Sequence, residues 1–189
     1  MFKLYMTNTS DDEIATVYLP NSTLWFQPLQ HFGVQGVKTW KYTARLRTML
    51  HSVCTDTKKV LIPLHRPGHW VLMVLDLANK RCEHYDSNAS GRGQAAAEIH
   101  TLKQAVAELL AEDESTSADL QWDEDFIPLR AVAQQGVSSD PGLDCGVFVL
   151  FWGICISQSI DLRTTKPFTQ HDMPTLRKQA ALAIKRGWF

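Results

Sequence analysis

The run from Cys145 to Ile156 carries almost no polar side chain, and it follows directly on Ser138-Ser139-Asp140-Pro141-Gly142, a lead that can continue neither a helix nor a central strand. A loop that empties into an all-apolar element obliges the rest of the chain to wrap around that element. With every face apolar, periodicity does not separate strand from helix, but about a dozen unbroken positions are long for a strand and ordinary for a core helix. The stretch is therefore expected to be a buried helix with Cys145 in its first turn. Unpaired N–H groups and the positive end of the helix dipole at that place favour a thiolate, the nucleophilic form of cysteine. A free cysteine is more often a small buried hydrophobe, and Cys155, deeper in the same run, fits that description. Cys145 differs from it by its Asp144-Cys145-Gly146 setting.

A chain of 189 residues suits one domain over 1–189 with a sizeable core. Hydrophobic and charged fractions of 44% and 21% are those of an ordinary globule, and no apolar stretch is long and isolated enough to span a bilayer. Met1-Phe2-Lys3-Leu4-Tyr5-Met6 runs straight into polar residues, so no signal peptide is expected. The net charge of -1 gives no general attraction to nucleic acid or membrane, and neither is expected as a partner. Cys54, Cys82, Cys145 and Cys155 lack CxxC spacing, which signals neither a zinc knuckle nor a disulfide framework. The expectation is a monomer of a reducing compartment, cytoplasm or nucleus, with no cofactor and no metal.

Along the chain, Ser10-Asp11-Asp12-Glu13 has the form of a brief helix start, and 21–36 has loop composition with Trp25, Phe26 and Phe32 to place. Helical spacing of Trp40, Ala44, Leu46, Leu50 and Val53 predicts a surface helix over 37–53. Val60-Leu61-Ile62-Pro63-Leu64 reads as an edge strand or a strand end because of its proline. After a turn at His65-Arg66-Pro67-Gly68, residues 69–77 read as a strand covered on both faces. Ala78-Asn79-Lys80 is a tight connection to a partner strand over 81–86, which makes a hairpin. A second helix is expected over 95–112, an acidic loop to 125, and a strand over 126–133 that delivers Gln134 and Gln135 into the loop before Cys145. Pro174 opens a last helix that ends near Gly187. The order makes the class α+β.

The hairpin has chemical content. If its turn centres near Ala78 and Asn79, Asp86 falls roughly opposite Val71, on the face of His69 and one diagonal step from it. A cysteine hydrolase needs a thiolate, an imidazole, a group that orients the imidazole, and donors for an oxyanion. Cys145, His69, Asp86 and either Gln134 or Gln135 with the Cys145 backbone N–H are the candidates.

Taken together, His69-Trp70-Val71-Leu72, Tyr85-Asp86-Ser87, Gln134-Gln135 and Leu143-Asp144-Cys145-Gly146-Val147-Phe148 resemble the SUMO/sentrin-specific protease family of clan CE cysteine peptidases. The order His, Asp, Gln, Cys, the Trp after the His, and the 17 positions between His69 and Asp86 all match. Val60 to His65 and the segment from Phe168 to Arg177 add to the likeness, which covers about half of the chain in three blocks. The resemblance implies a papain-like fold, a central mixed sheet packed against a buried helix with the nucleophile at its N-terminus. It also implies cleavage after the Gly-Gly tail of a ubiquitin-like modifier (SUMO, ubiquitin or a relative), which would be the partner. Gln135 would serve the oxyanion, Trp70 and Trp25 would hold the substrate tail, and Asp144 would steady the Trp or a nearby loop. Two departures stand out: Ser139 occupies the usual place of the oxyanion Gln, and the N-terminal part is short.

Other readings use the same residues. A zinc site from His65, His69, Cys82 and His84 has the right donors in spacings that fit no common structural site. An acyltransferase would pass the thioester to a hydroxyl or amine. A modifier-binding module with little turnover, or a viral or effector processing protease, would share the scaffold.

Overall fold

The computed structural model describes residues 16–18, 59–76, 79, 81–87, 97, 100, 144–162 and 164–186. Of the run from Ser10 toward Pro20, where at most a brief helix is expected, the described residues form a strand at Thr16–Tyr18, and the elements expected at 21–36, 37–53 and 126–133 lie outside the described residues. Of the helix expected over 95–112, only Ala97 and His100 are described, and both are helical.

The described strands form one four-stranded sheet in the order β1 (Thr16–Tyr18), β2 (Lys59–Arg66), β3 (His69–Asp76) and β4 (Arg81–Tyr85). β1 runs parallel to β2, while β2, β3 and β4 are antiparallel neighbours, so the sheet is mixed, as expected. The edge or strand-end reading of the Pro63 stretch is corrected. β2 continues to Arg66 and lies between β1 and β3, and among the described residues β1 pairs with its Lys59, Val60 and Leu61.

Two turns set the register. Pro67-Gly68 alone joins β2 to β3, with Arg66 paired to His69. Gly68 has φ of 74°, and a proline followed by a glycine at positive φ is what a type II turn requires. At the other end, Asn79 folds back on Asp76: its backbone N–H donates to Oδ1 at 3.0 Å and its side-chain amide to Oδ2 at 2.9 Å. The resulting β3–β4 register pairs Leu72 with Tyr85 and Asp76 with Arg81.

Alternation then divides the sheet into two faces. Leu61, Leu72, Val74 and Tyr85 on one face pack with Phe148, Val149, Trp152, Cys155 and Ile156 of the expected buried helix, here α1 (Cys145–Ser157). Val60, Ile62, Leu64, Val71, Met73, Leu75 and Cys82 on the other face are each at most 2% exposed, so the sheet is covered on both sides. After α1 come a 3₁₀ turn (Gln170–Asp172) and α2 (Met173–Lys185), which has Pro174 in its first turn. Met173 and Phe168 close the core over α1.

Phe148 belongs to an aromatic group, with ring centroids 5.2 Å from Trp152 and 5.7 Å from Phe168, and it is fully buried. Phe148→Ala is expected to lower the free energy of unfolding by about 3–5 kcal/mol, through lost burial and an unfilled cavity. Urea denaturation checks this: a lower midpoint with unchanged slope is the expected outcome.

Candidate active site

The site is built at the end of the sheet where β2 stops and β3 starts. The register places Arg66, His69, His84 and Asp86 on one face there, and Trp70 on the other, with α1. Asp86 directly follows β4, and extending the ladder by one step puts it opposite Val71, as the sequence predicts.

His69 Nε2 lies 2.6 Å from Asp86 Oδ1. An ionised carboxylate only accepts, so Nε2–H donates and the neutral ring carries its lone pair on Nδ1. The other carboxylate oxygen, Oδ2, accepts from Arg66 Nη1 at 3.1 Å. Arg66 Nη2 in turn donates to His84 Nε2 at 3.2 Å. A guanidinium has no acceptor, so His84 presents its lone pair to Arg66 and keeps its proton on Nδ1. Asp86 is thus held from two sides, with its charge balanced by Arg66 while His69 is neutral. Asp86 and His84 are buried, and Arg66 and His69 are half-buried.

Sequence reasoning passed over Arg66. The signal for it was present: a two-residue turn at Pro67-Gly68 makes Arg66 the cross-strand partner of His69 and hence a near neighbour of anything that His69 binds.

Cys145 is the first residue of α1 and is buried. Its neighbour Gly146 lies against Trp70, the residue after His69: a Cβ built on Gly146 would stand 3.7 Å from Trp70 Cδ1. The start of α1 and the start of β3 therefore adjoin. Trp70, 36% exposed, is one of three large hydrophobic side chains open to solvent among the described residues, and the His65 ring lies tilted against it with ring centroids 4.7 Å apart. His65 is on the face opposite His84 and Cys82, so the four candidate zinc ligands do not converge. Among the described residues no group of His, Cys, Asp or Glu is arranged to hold a metal ion, and no helix is long and apolar enough to cross a membrane.

Asp144 is the N-cap of α1, and its carboxylate bonds run to Gln170 and Arg177. Trp25, Gln134 and Gln135 lie outside the described residues.

Both cysteines of α1 are buried, Cys145 as its first residue and Cys155 further along it. Burial pushes the Cys155 thiol up, and it sits mid-helix in the core. In the folded protein at neutral pH, iodoacetamide is expected to modify Cys145 at least about tenfold faster than Cys155, a difference that vanishes in denaturant. Peptide mapping after timed labelling measures the ratio.

Comparison with known proteins bears on the whole of this arrangement. The family described as the Ulp1 protease family, C-terminal catalytic domain, matches residues 7–187. Sentrin-specific protease 2 of Rattus norvegicus is 31% identical over 168 residues, covering 86% of this chain and 25% of that protein. The chain spans about a quarter of the length of the sentrin-specific protease 2 sequences that it matches. Among solved structures, SUMO protease Ulp1 with its catalytic cysteine oxidised to a sulfonic acid superposes with a TM-score of 0.67 at 22% identity, covering 94% of this chain and 72% of that one. The C-terminal Ulp1 protease domain in complex with Smt3, the yeast ortholog of SUMO, gives 0.60 at 24% identity, covering 92% and 69%. At these identities the structures establish the likeness of fold.

Proposed function

Because the chain belongs to the Ulp1 protease family, C-terminal catalytic domain, we propose that it is a cysteine isopeptidase that hydrolyses the bond after the C-terminal Gly-Gly of a SUMO-type modifier. The observation that carries this reading is the 2.6 Å contact of His69 Nε2 with Asp86 Oδ1, formed at the end of β3 that adjoins the first turn of α1.

In this mechanism His69 Nδ1 takes the Cys145 proton, and Asp86 stabilises the imidazolium that forms. The thiolate attacks the glycyl carbonyl. The oxyanion is met by the Cys145 backbone N–H, with Gln135 as the second donor that the family resemblance suggests. The imidazolium then protonates the departing amine, leaving a thioester on Cys145. Water, with His69 as base, cleaves the thioester and frees the modifier and the thiol. Trp70, which adjoins Gly146, would roof the path of the tail and so favour residues without side chains. The names of the relatives, sentrin-specific and SUMO proteases, support SUMO rather than ubiquitin as the modifier.

The test is a SUMO carrying a C-terminal electrophile, run beside the ubiquitin equivalent. A covalent adduct with the SUMO probe, mapped to Cys145 by peptide mass, is the expected result. Absence of an adduct with either probe, on protein shown to be folded, would overturn the reading. A SUMO-amine reporter separates hydrolysis from binding without turnover.

A further inference from the structure

An aspartate at a helix N-cap ordinarily accepts hydrogen bonds from the N–H groups of the first turn. Asp144 occupies that position on α1 and makes no side-chain capping bond. Its Oδ2 accepts instead from Gln170 Nε2 at 2.6 Å. Its Oδ1 accepts from Arg177 Nε at 2.6 Å, with Arg177 Nη2 2.5 Å from the same atom. Both partners are remote in sequence: Gln170 begins the 3₁₀ turn and Arg177 lies on α2.

The turn that presents Gln170 is braced in its own right. Asp172 Oδ2 accepts from the Thr169 backbone N–H at 2.7 Å and from the Thr169 hydroxyl at 2.9 Å. Donation from Gln170 Nε2 to Asp144 sets the amide orientation and leaves Oε1 buried with no hydrogen-bond partner.

We infer that Arg177 and Gln170 are positioning residues that draw the Asp144 carboxylate away from the first turn of α1, so that the N–H groups of that turn serve the Cys145 thiolate and the oxyanion. This rests on the thiol chemistry proposed above. Released from Arg177, the Asp144 carboxylate is free to swing toward the first turn of α1 as its αR backbone (φ -97°, ψ -13°) relaxes to the extended form that a capping residue adopts. Its charge then stands beside the sulfur and opposes the thiolate, and its oxygens take the N–H groups that the reaction needs. The family-like Asp144-Cys145 pair is thus a hazard that α2 removes.

The experiment measures iodoacetamide alkylation of Cys145, which needs no modifier, in the full chain. Arg177→Met is expected to slow alkylation about tenfold, the size of a modest charge effect near the sulfur. Reporter kcat falls in parallel while KM stays nearly constant. The melting temperature holds or rises, because a capped helix is the more stable one. Adding Asp144→Ala to Arg177→Met restores alkylation, since no carboxylate remains to cap. Gln170→Leu, which removes the donor and the stranded acceptor together, slows alkylation in the same direction and serves if Arg177→Met folds poorly. A tie of purely structural importance gives the opposite pattern: a lower melting temperature in Arg177→Met and no recovery in the double variant. That pattern, or equal alkylation rates in the wild type and both single variants, overturns the inference. Failure of the wild type to cleave a SUMO reporter, with the alkylation pattern intact, counts against the deconjugation reading alone.

Discussion

Cys145→Ala is expected to lower hydrolysis of a SUMO-amine reporter by at least about 10⁴-fold, with binding of the modifier retained. The size of the loss follows from the mechanism. Without the sulfur there is no thioester, and the only route left is direct attack by water, helped by whatever oxyanion donors and substrate positioning remain. His69 and Asp86 would still be paired, but with no thiol to deprotonate their contribution falls away, so His69→Ala added to Cys145→Ala should cost little more. The fold should survive, because Cys145 is the first residue of α1 and lies outside the aromatic group around Phe148. Reporter kinetics together with calorimetric titration of the modifier measure both halves. Residual turnover above about one per cent would remove Cys145 from the nucleophile role.

Asp86→Asn should be nearly as damaging, for a different reason. The carboxylate accepts Nε2–H of His69 at 2.6 Å, which keeps the lone pair on Nδ1, the nitrogen assigned to the thiol. An amide can present its N–H₂ to the ring instead. It then favours the tautomer with the proton on Nδ1, and it carries no charge to stabilise the imidazolium. A loss in kcat of about 10³–10⁴-fold is expected, with KM little changed. Asp86 also neutralises Arg66, half-buried at 3.1 Å, so the same substitution should lower unfolding free energy by about 2 kcal/mol, read as a lower urea midpoint. A variant that loses stability but keeps its kcat would make Asp86 a structural partner of Arg66 and not the residue that orients His69.

These two residues also show how far local rules reach. Asp86 and His69 come together because the turn at Asp76-Asn79 sets a register and strand side chains alternate. Both are short-range effects, visible in composition and spacing. Trp70 follows His69 and therefore must point to the opposite face, where α1 packs. The Pro63 stretch was misread for a related reason. A proline lacks the N–H that a ladder uses, but its own strand can still lie inside a sheet, as β2 does between β1 and β3.

From the sequence alone came the buried helix with Cys145 at its head, the hairpin, the pairing of His69 with Asp86, and the closing helix that starts at Pro174. Each depends on contacts within one element or across one tight turn, where period and turn chemistry leave few alternatives. Only the tertiary structure decided that Arg66 braces Asp86 while leaning on His84, that β1 joins the sheet in parallel, and that Asp144 answers to Gln170 and Arg177, 26 and 33 positions away. Ion pairs and amide contacts of that kind depend on how one packed element lies against another. No periodicity along the chain encodes that placement, because it is set by the close packing of the whole core.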